Sequence, residues 1–145
     1  MPDPADYGRV IRDKAGRVAK IVEHKDAAPA ELAVNEINTG IYCFENPALM
    51  AALGGLTRDN KQGEYYLTDV IGALAGQGAK IWAVTAGDWR ETLGINSRRQ
   101  MAEAEKILRR RKLDELMDSG VTVMDPDTTF IDAEVSIGPD TVIYP

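Results

Sequence analysis

The chain has 145 residues, 44% hydrophobic and 28% charged, with a formal net charge of −6. That is enough chain for one modest globular core, but it holds no apolar run long enough to span a bilayer and no secretory-leader pattern over residues 1–12. The acidic balance argues against general nucleic-acid or anionic-membrane binding, and the single cysteine, Cys43, excludes a disulfide framework, so a cytoplasmic protein is expected.

Residues 1–4, Met-Pro-Asp-Pro, read as a start and not as a folded element. Residues 7–23 predict a β-hairpin, with arms at 7–12 and 17–23. Asp13 to Gly16 supply the turn, and Gly16 suits a positive φ. Gly8 follows an aromatic residue near the start of the first arm, where a glycine lets a ligand or another chain approach. Residues 23–26, Glu-His-Lys-Asp, end the second arm in polar groups. Taken alone they are a solvated strand end leading into a polar loop over 27–34.

Residues 35–44, N-E-I-N-T-G-I-Y-C-F, predict the strand around which the chain is organised, because β-branched and aromatic residues alternate between two faces. Ile37, Thr39, Ile41 and Cys43 share one face. The other begins polar at Glu36 and Asn38 and turns apolar at Tyr42 and Phe44, as in a core strand whose end lines a site or, equally, an edge strand with a wet end. Gly40 marks a bulge or a close approach. Cys43 is expected to be a buried structural thiol, since the only histidine, His24, lies in another segment.

Asn46 and Pro47 then start a helix as N-cap and first helical residue, with Leu49, Met50 and Leu53 as its apolar stripe. Residues 57–63 form a polar loop. The stretch Q-G-E-Y-Y-L-T-D leads into a helix capped by Thr68 or Asp69, with Val70, Ile71 and Leu74 inward. Residues 79–85 predict a strand buried on both faces. The alternation is that of an α/β domain, and residues 87–96 leave the end of that last strand, where ligands of open α/β sheets bind. Ser97 opens a long helix with a capping box to Gln100. Its stripe runs through Met101, Ala104, Ile107, Leu108, Leu113, Leu116 and Met117, and its basic run at 109–112 is a solvated face. Finally, Ile131, Ile137 and Ile143 recur every six residues, with Thr129, Val135 and Thr141 in the same register. That is the hexapeptide pattern of a parallel β-helix, still running at Pro145, and it reads as a cut.

Taken together and in order, Y-G-R-V-I-R-D, I-V-E-H-K-D, E-I-N-T-G-I-Y, Q-G-E-Y-Y-L-T-D-V-I, G-I-N-S-R-R-Q and the hexapeptides resemble the bacterial bifunctional N-acetylglucosamine-1-phosphate uridylyltransferases/glucosamine-1-phosphate acetyltransferases. The resemblance implies the second half of a Rossmann-like nucleotide-diphospho-sugar transferase domain over 1–96. It implies a linking helix over 97–120 and the start of a left-handed β-helix over 121–145. It further implies that Gly8 meets the amino-sugar ring, that Glu23 and Asn38 hydrogen-bond N-acetylglucosamine, and that Asn96 is a ligand of Mg²⁺. The family's glycine-rich loop, its metal-binding aspartate and its full acetyltransferase β-helix have no counterpart in the sequence. Loop 57–61, T-R-D-N-K, departs from the family's asparagine-rich pattern, and Ile95 replaces a commoner valine.

The implied activity is synthesis of UDP-N-acetylglucosamine, a cell-wall precursor, from UTP and N-acetylglucosamine-1-phosphate with Mg²⁺. Asn and Glu suit a neutral sugar because they supply donors and acceptors at fixed geometry. Uridylyl transfer asks mainly for positioning and charge neutralisation. This chain is expected to be inactive alone, without bound Mg²⁺, and to form a dimer or higher oligomer where the intact family forms trimers. The competing readings are another sugar-1-phosphate nucleotidyltransferase, such as a thymidylyltransferase relative, and a noncatalytic hexapeptide-type assembly module.

Overall fold

The computed structural model describes residues 1–145 and divides the chain into two compact units, Met1–Trp89 and Arg90–Pro145. In the first, strands β1 (Arg9–Arg12) and β2 (Val18–Val22) pair antiparallel with Val10 opposite Ile21. The turn forms where its residues dictate: the Asp13 carboxylate accepts from the Ala15 and Arg17 amides, and Gly16 has φ +79°. A short helix α1 (Pro29–Leu32) follows, with the Glu31 carboxylate closing back on the Ala28 amide at 2.8 Å and pairing with Lys20. The Lys20 ammonium, then that amide, hold the Glu31 carboxyl below its usual range.

Helix α3 (Asp69–Gly76) lays Val70 and Ile71 inward, and its Gly72 comes close enough to β2 that an added Cβ would meet the Lys20 Cβ at 3.5 Å. The core of this unit is Val10, Val18, Ile21 and Ile71, with Tyr42, Phe44 and Ile81 packed against it. Helix α2 (Asn46–Leu53) starts one residue earlier than its sequence suggests, with Glu45 at the N-cap and Pro47 inside the first turn. Its stripe is largely bare: Met50 and Leu53 are exposed, and only Ala52 is buried.

Residues 35–44 and 79–85 are the main departures from the expected sheet. Neither is a strand; the first makes a single antiparallel bridge, Ile37 to Arg9. Residues 41–44 still alternate as strand residues do, with Tyr42 and Phe44 packed on the core and Ile41 and Cys43 exposed; of residues 79–85, expected to be buried on both faces, only Ile81 is partly covered and the rest are exposed. Both segments lack a ladder, because strand status needs a neighbour on the hydrogen-bonding edge, and without covering layers residues 79–85 are not buried. Cys43 is accordingly an exposed thiol and not a buried one. Gly40 has φ +76° with open space where a Cβ would stand, so its reason is the left-handed backbone and not a close approach.

In the second unit, helix α4 (Arg98–Asp118) begins at Ser97, whose hydroxyl accepts from the Gln100 amide. The reciprocal arm of the capping box reaches one residue further back: Gln100 Oε1 accepts from the Asn96 amide at 2.8 Å. Only the C-terminal part of the helix is covered. Leu113 and Leu116 join Val121 and Val123 in a core against which Met117, Ile131, Ile137 and Ile143 pack. Met101 and Leu108 are exposed. Strands β3 (Thr122–Val123) and β4 (Val142–Ile143) pair in parallel, so one pass of the hexapeptide segment returns beside its own start.

Candidate functional site: a carboxylate and an amide held by hydroxyls

Gly8, Glu23 and Asn38 come together at the end of the hairpin. The Asn38 amide N–H donates to the Gly8 carbonyl at 2.8 Å, one of the two bonds, with Val10 N–H to the Glu36 carbonyl at 2.9 Å, that make the single bridge between 35–44 and β1. Gly8 is buried, and an added Cβ would sit 3.3 Å from Glu23 Oε2 and 3.4 Å from the Val22 carbonyl. The close approach expected at Gly8 is thus made by the Glu23 carboxylate.

Each functional group has a dedicated partner. The Thr68 hydroxyl donates to Glu23 Oε1 at 2.9 Å, and the Tyr42 hydroxyl donates to Asn38 Oδ1 at 2.8 Å. Asn38 Oδ1 also accepts from the Gly40 amide. Burial, chiefly, with the Glu23 carboxylate adding to it, lifts the Tyr42 phenol above its usual range, so this hydroxyl stays protonated and donating. Asn38 Oδ1 being engaged, its side-chain N–H groups are left to donate, while Glu23 accepts. The pair can bind hydroxyl and acetamide groups of a neutral ligand; it contains no nucleophile–base arrangement for bond making.

Thr68 and Tyr42 were not singled out by sequence. Thr68 reads as a helix cap, and it does occupy the N-cap position of α3, but its side chain makes no cap bond. Its partner lies 45 residues away, beyond any local pattern. Replacing Thr68 by valine keeps the volume and removes the donor. We expect the first unit to lose about 1–2 kcal/mol, the scale for a hydrogen bond to a half-buried carboxylate, read as a drop in Tm, with no change in helix content.

A second network ties the turn at residues 23–26 to the loop before α3. Lys25 donates to Gln62 Oε1 at 2.6 Å, the Lys61 amide to Asp26 at 2.9 Å, Gln62 to the Tyr66 hydroxyl at 2.7 Å, and Tyr66 to Asp26 at 3.1 Å. Burial first, then repulsion from Asp26, raises the Asp69 carboxyl. The polar end of the second arm is therefore built into the unit and is not a free solvated end. The second tyrosine of the Y-Y pair is its keystone, while Tyr65 is exposed, 5.8 Å from the Arg58 guanidinium.

Asn96 lies in the other unit, exposed, with its backbone amide bound by Gln100. It offers one neutral amide oxygen, and no group of three or more His, Cys, Asp or Glu side chains is gathered anywhere in the chain. Mg²⁺ demands near-octahedral oxygen coordination, usually with carboxylates or phosphates, so these residues do not by themselves make up a set for it. The basic run is engaged: Arg109 stacks on Phe130 at 4.0 Å, Arg110 pairs with Asp114 at 2.9 Å, and Lys112 with Glu115 at 3.9 Å. No helix is long and apolar enough to cross a membrane.

Residues 1–106 match the family described as Nucleotidyl transferase. The chain is 58% identical over 143 residues to the bifunctional protein GlmU of Pelotomaculum thermopropionicum, covering 99% of this chain and 31% of that protein. It is 54% identical over 144 residues to the GlmU of Shouchella clausii, with 99% and 32% covered. Against the GlmU of Brevibacillus brevis it is 50% identical over 145 residues, with 100% and 32% covered. The chain thus spans about a third of the length of these relatives. With the family matched over most of its residues, this chain belongs to the nucleotidyl transferase family.

Proposed function

We propose that this chain forms the sugar-binding side of a cytoplasmic nucleotidyltransferase that makes UDP-N-acetylglucosamine from UTP and N-acetylglucosamine-1-phosphate. The observation that carries this reading is the convergence of Gly8, Glu23 and Asn38, with Thr68 and Tyr42 fixing the carboxylate and the amide. A neutral amino sugar presents hydroxyls and an acetamide. An acceptor and a donor held at fixed geometry suit it better than they suit a phosphate, which would be repelled by Glu23. In this reading the nucleotide is held by parts of the longer relatives that this chain does not match. Asn96 contributes one amide oxygen to a Mg²⁺ set completed there, and residues 121–145 begin a left-handed β-helix.

Titration of UDP-N-acetylglucosamine into the 145-residue chain, followed by calorimetry or amide NMR, tests the sugar site. Saturable binding is expected, weakened about tenfold by Asn38→Ala, the cost of one or two hydrogen bonds. Absence of binding, or binding indifferent to both Asn38→Ala and Glu23→Gln, would overturn the proposal.

A further inference from the structure

Asn38 and Tyr42 belong to one segment and meet across a bend. In a straight strand they would share a face about 13 Å apart, out of reach of a direct bond. The backbone turns between them: Gly40 lies at φ +76°, a left-handed conformation that glycine adopts without the cost a side chain would bring. Across that bend the Tyr42 hydroxyl donates to Asn38 Oδ1 at 2.8 Å, and the Gly40 amide donates to the same oxygen at 3.1 Å. The phenol is itself firmly seated. Its ring stacks on Phe44 with centroids 5.5 Å apart and packs on the core of Val10, Val18, Ile21 and Ile71.

Two donors on one atom decide the polarity of the side chain. A backbone N–H can only donate, so the atom that accepts from Gly40 is the carbonyl oxygen, and the NH2 group is the end left over. That NH2 group makes no bond within the chain. Beside Gly8, Glu23 keeps Oε2 while Thr68 occupies its Oε1. A carboxylate can only accept, so Asn38 and Glu23 present opposite polarities. A half-turn of Asn38 about its last bond would set an acceptor beside an acceptor, and the Tyr42 hydroxyl opposes that half-turn.

We propose that Tyr42 is a positioning residue of the sugar site: its hydroxyl holds Asn38 as the donor of the pair, so the site takes a neutral ligand that brings an acceptor oxygen to Asn38 and a donor to Glu23. This rests on the sugar-binding reading above and adds the residue that sets the direction of the amide. Neighbouring hydroxyls and the N–H and C=O of an acetamide both carry that chemistry.

The test uses the whole chain, with UDP-N-acetylglucosamine and UDP-glucose as probes. Tyr42→Phe keeps the ring and its packing and removes only the hydroxyl, so circular dichroism should show it folded. It should weaken UDP-N-acetylglucosamine about three- to tenfold, the scale of one hydrogen bond. In an Asn38→Ala background the same substitution should change nothing further. Asn38→Asp keeps an oxygen for Tyr42 and Gly40 but turns the outward donor into an acceptor, and it should cost at least as much as Asn38→Ala. Weakening of both probes by Tyr42→Phe assigns the acceptor oxygen to a hydroxyl, and weakening of UDP-N-acetylglucosamine alone assigns it to the acetamide. A Tyr42→Phe effect that persists undiminished beside Asn38→Ala overturns the inference, as does full affinity in Tyr42→Phe or in Asn38→Asp. Without any ligand, Tyr42→Phe should also move the side-chain amide NMR signals of Asn38, and unmoved signals overturn the inference whatever binds. Moved signals in a chain that binds neither probe would overturn the sugar reading and leave the hold of Tyr42 on Asn38 standing.

Discussion

Leu113→Ala should unfold the second unit while leaving the first intact. Leu113 is one of the two largest fully buried side chains of the chain, and the other, Val70, belongs to the first unit. Around it the only other buried apolar residues of the second unit are Leu116, Val121 and Val123, helped by the partly covered Met117, Ile131, Ile137 and Ile143. Truncating a buried leucine costs about 2–5 kcal/mol, from lost transfer energy plus the cavity left behind. A unit this small has no more than about 3–5 kcal/mol from its core, so the substitution removes most or all of its stability. Hydrogen exchange should show the amides of α4, β3 and β4 losing protection together, while those of β1 and β2 keep theirs. Leu108→Ala is the control on the same helix: at 63% exposure its loss should cost less than about 0.5 kcal/mol. Equal effects of the two substitutions would show that the core is misplaced.

The 145-residue chain should also release no pyrophosphate above background from UTP, N-acetylglucosamine-1-phosphate and Mg²⁺. Uridylyl transfer needs the nucleotide positioned and the developing phosphate charge neutralised together. The cations at residues 109–112 are engaged with Phe130, Asp114, Glu91 and Glu115, and Asn96 is a neutral ligand without gathered carboxylates. Each missing preorganised charge contact commonly costs on the order of 10²–10³ in rate, and several are missing at once. The measurement is a coupled pyrophosphate assay on highly purified protein. Turnover that co-purifies with the chain and vanishes in Asn96→Ala would refute the expectation.

How much of this was legible beforehand depends on the range of the interactions. The hairpin could be read because its turn is local: Asp13 and Gly16 act within a few residues. Helix α3 and the start of α4 could be read for the same reason, from a 3.6-residue pattern and a Ser97 cap. Residues 35–44 show where this stops. Their alternation was legible and the structure keeps it, but whether the segment joins a ladder depends on a neighbour that its own residues do not encode. The exposure of Cys43 follows from the same cause. At the site, Gly8, Glu23 and Asn38 were reached through family resemblance and the structure brings them together. Thr68 and Tyr42 were not, because a threonine before a helix looks like a cap and a tyrosine on an apolar face looks like packing.

The bond between Glu23 and Thr68 closes a long loop, and this has a kinetic meaning. The hairpin can form early, because its partners are near in sequence and close at little entropic cost. The contacts of Thr68 with Glu23 and of Tyr66 with Asp26 span 45 and 40 residues, so they join only once α3 has docked on β2. Interactions made after the rate-limiting step slow unfolding more than they speed folding. A ligand gripping Glu23 and Asn38 would therefore act as a latch, lengthening the lifetime of the folded unit by a factor that grows with the ratio of free ligand to Kd. Resistance to proteolysis would then report occupancy of the site even where no chemistry takes place.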